Sequence, residues 1–175
     1  MKKALKIIGL SAGILIGGVL LLWIARFGIL MIILSQVDDN LTEKEIIALV
    51  EGNEPLLREV SAELSEMGYM GRINDENRAE FSDTIEKVLK IKGLQYISVE
   101  ENGRIEFYCG GSGLPPASQY YGFYYTAADE PENFMSTEPL TKDGKDRWIW
   151  QESGSDNTFR TRRITDNFYF YVMSF

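Results

Sequence analysis

The chain has 175 residues, 26 acidic and 18 basic, with a net charge of −8, one cysteine and no histidine. The lack of histidine excludes Ser-His-Asp and Cys-His catalysis in their usual forms and removes the commonest zinc ligand. The single cysteine, Cys109, excludes an internal disulfide, and the acidic balance argues against nucleic acid as a partner.

Residues 1–6 form a basic start carrying Lys2, Lys3 and Lys6. Ile7–Leu34 follows, 28 residues with one charge, Arg26. A hydrocarbon core of about 30 Å needs roughly 20 apolar helical residues, and Ile7–Ala25 supplies 19. We therefore expect a transmembrane anchor over 7–34. Lysines before it and Asp38 and Asp39 after it predict a cytoplasmic N-terminus and an extracytoplasmic domain over 35–175. The expected location is the cell membrane, crossed once. Trp23 and Arg26 suit the outer interface as belt aromatic and snorkelling cation. The rival, a cleaved signal peptide, has a shorter apolar centre and an A-x-A-like site, which this run lacks. As a helix the run rises about 42 Å, more than one bilayer core, so it tilts or its last turns emerge. Gly9, Gly13 and Gly17 share one helix face. They read either as a homodimer stripe or as the ordinary glycine content of membrane helices.

Residues 1–34 hold four of the 18 basic residues and none of the acidic ones, which leaves 14 basic against 26 acidic and a net −12 beyond the anchor. That stretch has room for one domain with its own core. Its charge reads as solubility and argues against lying on anionic lipid.

Thr42-x-x-Glu45 is a capping box opening a first helix, with Ile46, Ile47, Leu49 and Val50 as its apolar side. Glu51–Pro55 reads as a break, because proline inside a helix removes a hydrogen bond. A second helix then runs from about Glu54 to Met67 on Leu56, Leu57, Val60 and Leu64, closed by Gly68. Arg72–Arg78 reads as a loop or a frayed helix start. Glu80–Lys90 reads as a third helix with Phe81, Ile85, Val88 and Leu89 on one side.

From Leu94 the period changes to 2. Tyr96–Val99 and Arg104–Cys109 flank Asn102-Gly103, a strong hairpin signal that points Ile97, Val99, Ile105 and Phe107 to the core. Gly110–Pro116 reads as a loop. Gln119–Thr126 reads as a strand with aromatics on both faces, in which Gly122 marks a bulge or close backbone approach. Ala127–Asp146 is a long polar connection, a length that is either functional or mobile. Arg147–Glu152, Thr158–Thr165 and Phe168–Phe175 read as three antiparallel strands. The expected fold is α+β, with two to three helices on one face of an antiparallel sheet of about six strands.

Three constellations could carry function. Gly110, Gly111, Ser112 and Gly113 could expose backbone amides to an anion, but the spacing is not that of a P-loop, and a plain turn is the alternative. The aromatic cluster Tyr120, Tyr121, Phe123, Tyr124 and Tyr125, with Trp148 and Trp150, could line a groove for sugar or peptide, or simply pack, with Tyr121, Tyr124, Trp148 and Trp150 as the candidate binding residues. Arg160 and Arg162 share one strand face and could hold an acidic partner or the anionic envelope, or pair with nearby carboxylates. Cys109 could be a nucleophile, but no obvious base lies near it in sequence, and it reads as a small, half-buried strand residue. No metal site, cofactor or catalytic residue is expected, and Asp38-Asp39-Asn40 does not have calcium-loop spacing.

The stretch Tyr108-Cys109-Gly110-Gly111-Ser112-Gly113, with Tyr121-Gly122-Phe123-Tyr124-Tyr125, resembles small membrane-anchored extracytoplasmic proteins of Gram-positive bacteria over residues 95–175. The resemblance implies an anchored outer domain and brings no activity with it. The function expected is therefore a membrane-anchored binding module with a protein partner. One alternative is an assembly subunit acting through its membrane helix. The other is a carboxylate hydrolase using Glu106 with Tyr124 or Asp129.

Overall fold

The computed structural model describes residues 41–114 and 117–175, together with Trp23 and Arg26, both helical and exposed. The rest of the expected anchor, with Gly9, Gly13 and Gly17, lies outside the described residues. Among those described, no helix is long and apolar enough to cross a membrane.

Helix α1 spans Glu43–Met67. Thr42 caps it as a capping box: its hydroxyl accepts from Glu45 N at 3.4 Å, and the Glu45 carboxylate accepts from Thr42 N at 2.7 Å. Gly68, in the left-handed region at φ 59°, ends it. The expected break at Glu51–Pro55 does not occur, and the two expected helices are one. Ile46, Val50, Leu57, Val60 and Leu64 are all fully buried and stay in one helical phase through Pro55. Burying that single stripe on one surface favours a continuous helix despite the proline. Pro55 itself is exposed, and Asn53 bonds back to Leu49 O at 2.8 Å instead of starting a new helix. Helix α2 spans Asp83–Leu89, shorter than expected because Ser82 caps it by accepting from Ile85 N. A 3-10 turn, Arg78–Glu80, precedes it.

The sheet has eight strands rather than about six: β1 Gly71–Ile73, β2 Tyr96–Val99, β3 Ile105–Leu114, β4 Ala117–Tyr125, β5 Thr141–Lys142, β6 Arg147–Gln151, β7 Thr158–Thr165 and β8 Phe168–Ser174. Their order is β1-β2-β3-β4-β8-β7-β6-β5, and every neighbour is antiparallel. The two additional strands are the short edges β1 and β5, the first lying in the stretch expected to be a loop or a frayed helix start. The Gly110–Pro116 loop is corrected too. Gly110, Gly111, Ser112 and Gly113 are strand residues paired with Tyr121, Tyr120, Gln119 and Ser118. They pair with β4 alone, because β2 ends opposite Tyr108, so the stretch as far as Leu114 is strand and not loop.

Ile97, Val99, Ile105 and Phe107 face the helices as expected, and Phe107 stacks on Phe123 at 4.6 Å in the same core. The other sheet face is covered over part of its width by residues 127–140. Phe134 is the wedge, in edge contact with Phe159 at 4.6 Å and Tyr171 at 5.0 Å. Glu132 is the clamp. It accepts from Arg104, Asn102 and Thr126 at 3.2, 2.7 and 3.0 Å, while its own backbone N donates to Tyr124 Oη. The long connection is thus pinned to the sheet.

Candidate functional site

The side of β1–β4 away from the helices presents a row of aromatic rings. Tyr96 on β2 stacks on Tyr108 of β3, centroids 4.5 Å apart and planes within 15°. Tyr108 leans to Tyr120 of β4 at 6.4 Å, and Tyr120 meets Phe175 edge-on at 5.8 Å. Arg72 of β1 closes the row, its guanidinium 4.0 Å above the Tyr96 ring. Tyr120 and Phe175 are 37% and 45% exposed. Among the described residues Arg72 has no carboxylate within ion-pair distance.

Glycines and one bulge build this row. The ladder between β3 and β4 shifts between Tyr108 and Gly110, with Cys109 as the extra residue. Before the shift Ile105, Phe107 and Cys109 point to the helices. After it Gly111 lies under the rings, where an added Cβ would sit 2.8 Å from Tyr120 Cδ1 and 2.9 Å from Tyr108 Oη. Gly111 therefore gives Tyr108 and Tyr120 a flat floor. Gly122 does the same for Tyr171, whose ring crosses β4 to hydrogen-bond Glu106 on β3.

Burial raises the Glu106 carboxyl above its ordinary value, against the Tyr171 hydrogen bond and the charge of Arg104. Burial, with Glu106 nearby, pushes the Tyr96 hydroxyl up to about 12, and Tyr108 moves the same way. Both phenols therefore stay protonated and able to donate at neutral pH. Burial also pushes the Cys109 thiol up to about 12, and the side chain, 2% exposed, is more deeply buried than the half-buried strand residue expected.

The residues singled out from sequence do not form one surface. Tyr121, 8% exposed, lies in the helix-side core. Arg160 and Arg162 are exposed on that same sheet side, where Arg162 pairs with Glu43 at 2.9 Å. Tyr124, Trp148 and Trp150 are on the opposite side and pack with Phe134, Tyr169 and Tyr171. Tyr124 is fully buried, and Trp150 Nε1 donates to Glu138 at 2.6 Å. Trp148 borders a shallow groove of about 550 Å³ against Pro131, Glu138 and Leu140. Glu106 bonds to neither Tyr124 nor Asp129. Tyr124 Oη is shared between Thr161 and Glu132 N, and Asp129 is engaged by Asn167 N, Tyr169 and Arg163.

Of this row, only Tyr120 stands out in the sequence, as a member of the aromatic cluster; Arg72, Tyr96, Tyr108 and Phe175 do not. Alternation already places Tyr96 opposite Ile97, and Tyr108 opposite Phe107. For Tyr120 the signal was ambiguous, because β4 is aromatic on both faces. Comparison with known protein families, with characterised proteins and with solved structures finds no match.

Proposed function

We propose that the chain is a single-pass membrane-anchored extracytoplasmic binding module that takes a protein partner on the row Arg72–Tyr96–Tyr108–Tyr120–Phe175. The observation that carries this reading is an aromatic strip, exposed at Tyr120 and Phe175 and half-buried at Tyr96 and Tyr108, ending in Arg72, which has no carboxylate within ion-pair distance among the described residues, in a domain of net −12. Tyrosine and arginine are the side chains that concentrate binding energy in protein interfaces. Ring orientation favours protein over sugar. Arg72 on one flank and Tyr108 on the other take up both faces of the Tyr96 ring. A pyranose stacks on a free aromatic face, whereas a protein surface meets the ring edges and hydroxyls offered here. The partner's complement is an apolar patch with a carboxylate for Arg72. The test is capture of a partner by the full-length chain from intact membranes, compared with Tyr120→Ser and Arg72→Glu. Loss of one discrete partner in both variants supports the reading, and retention in both refutes it.

A further inference from the structure

The helix-side face of the sheet carries a second surface, at the β6–β7 end. Arg147 and Arg162 are direct cross-strand neighbours, and Arg160 lies opposite Ile149 one step along. All three arginines are exposed. Like charges directly opposite one another destabilise a strand pair. Only Arg162 has a carboxylate in reach, Glu43 at 2.9 Å; among the described residues Arg147 and Arg160 have none. Three guanidinium groups on one face of an acidic domain, two without partners, are a surface prepared for anions. Planar guanidinium suits phosphate, which it can grip with two parallel hydrogen bonds.

The chain itself indicates which anion is close. Glu43, bonded to Arg162, is nine residues beyond Leu34, the last apolar residue of the expected anchor. Nine extended residues reach at most about 30 Å, so a bilayer holding that anchor lies within tether length of this face. Net −12 argues against the domain as a whole lying on anionic lipid; at this face the local charge decides, because charges more than a Debye length of about 8 Å from the contact are screened. Each arginine near an anionic lipid surface strengthens attachment roughly fivefold.

We propose that Arg147, Arg160 and Arg162 dock the domain onto anionic phospholipid headgroups of the membrane in which it is anchored. The docking rests on the anchor reading and is independent of the aromatic row. It sets the domain's orientation: the aromatic row lies on the opposite sheet side and is turned away from the lipid.

The test uses the full-length chain in nanodiscs of phosphatidylcholine alone or mixed with phosphatidylglycerol. A fluorophore on Thr141→Cys, the exposed cross-strand neighbour of Ile149, reports quenching by nitroxide carried on lipid headgroups. Buried Cys109 stays unlabelled. The comparison is Arg147→Gln/Arg160→Gln, which removes two charges at exposed positions and sets no new carboxylate beside the Arg162–Glu43 ion pair. The expected result is stronger quenching in the anionic discs, with the excess lost in the variant. Equal quenching in both lipids overturns the proposal. Charge-independent quenching that the variant abolishes also overturns it, because the arginines then act on something other than anionic lipid. Extraction of the chain from the discs by alkaline carbonate shows instead that the anchor reading has failed.

Discussion

Tyr171 on β8 reaches across the intervening strand β4 to hydrogen-bond Glu106 on β3, and it does so over Gly122. A Cβ at Gly122 would stand 3.1 Å from the Tyr171 ring and well inside van der Waals contact of the Phe107 carbonyl oxygen. Backbone cannot yield as a flexible side chain does. Gly122→Ala is therefore expected to destabilise the domain by about 2–3 kcal/mol, read as a lower urea midpoint. Tyr171→Phe, which removes only the hydroxyl, is expected to cost about 1–2 kcal/mol. An alanine variant as stable as wild type would contradict the close crossing.

Glu106 gives this relationship a pH signature. Its folded-state value lies above the ordinary 4.5, with burial as the main cause. The native chain thus holds the proton more tightly than the unfolded chain. The associated stability is complete below the unfolded value and is lost as pH rises through the folded one. Glu106→Gln keeps a neutral partner for Tyr171 at every pH. Urea unfolding from pH 4.5 upward should show wild type losing stability relative to the variant. Parallel curves would place the titration elsewhere.

Glu132 is expected to hold the covering segment to the sheet. Arg104 is 8% exposed and lies 4.2 Å over the Phe134 ring, with Glu132 as its ion-pair partner. Glu132→Ala strands a buried charge and is expected to cost about 3 kcal/mol. Amide hydrogen exchange should accelerate across residues 127–140 first. Exchange unchanged in that stretch would show that Phe134 alone holds it.

Pro55 interrupts the hydrogen bonding of α1, and the Glu51 carbonyl has no N–H four residues on. Pro55→Ala supplies that donor at an exposed position. It should raise stability by about 1–3 kcal/mol in thermal unfolding. A loss of stability would mean that the proline bend is needed for α1 to follow the sheet.

How much was legible in the sequence follows from how local each signal is. The Asn102-Gly103 hairpin, the Thr42 capping box and the alternation of Ile97, Val99, Ile105 and Phe107 are set by neighbouring residues, and all could be read directly. The continuity of α1 through Pro55 is not local: it is imposed by one stripe packing on one sheet. β1 and β5 are too short to show a period. The bulge at Cys109 was hidden among glycines, and it moves Gly111 to the opposite side of the sheet. A shift of one residue exchanges the two faces of a strand. β4 itself alternates regularly but is aromatic on both faces, so nothing local says whether Tyr121 or its exposed neighbour Tyr120 meets the helices.

That neighbouring pair separates packing from binding. Tyr121→Ser should cost about 2–4 kcal/mol by emptying a core position. Tyr120→Ser should cost less than about 1 kcal/mol, as exposed substitutions do, while removing partner capture. Equal stability losses would contradict the assigned faces.

The most direct test of the binding surface is site-specific photocrosslinking in intact membranes. A benzoylphenylalanine would replace Tyr120 on the aromatic row or, as a control, exposed Glu59 on α1. The account predicts one discrete adduct from position 120 that disappears with Arg72→Glu, and none from position 59. No adduct at position 120, or the same adduct from both positions, would contradict it.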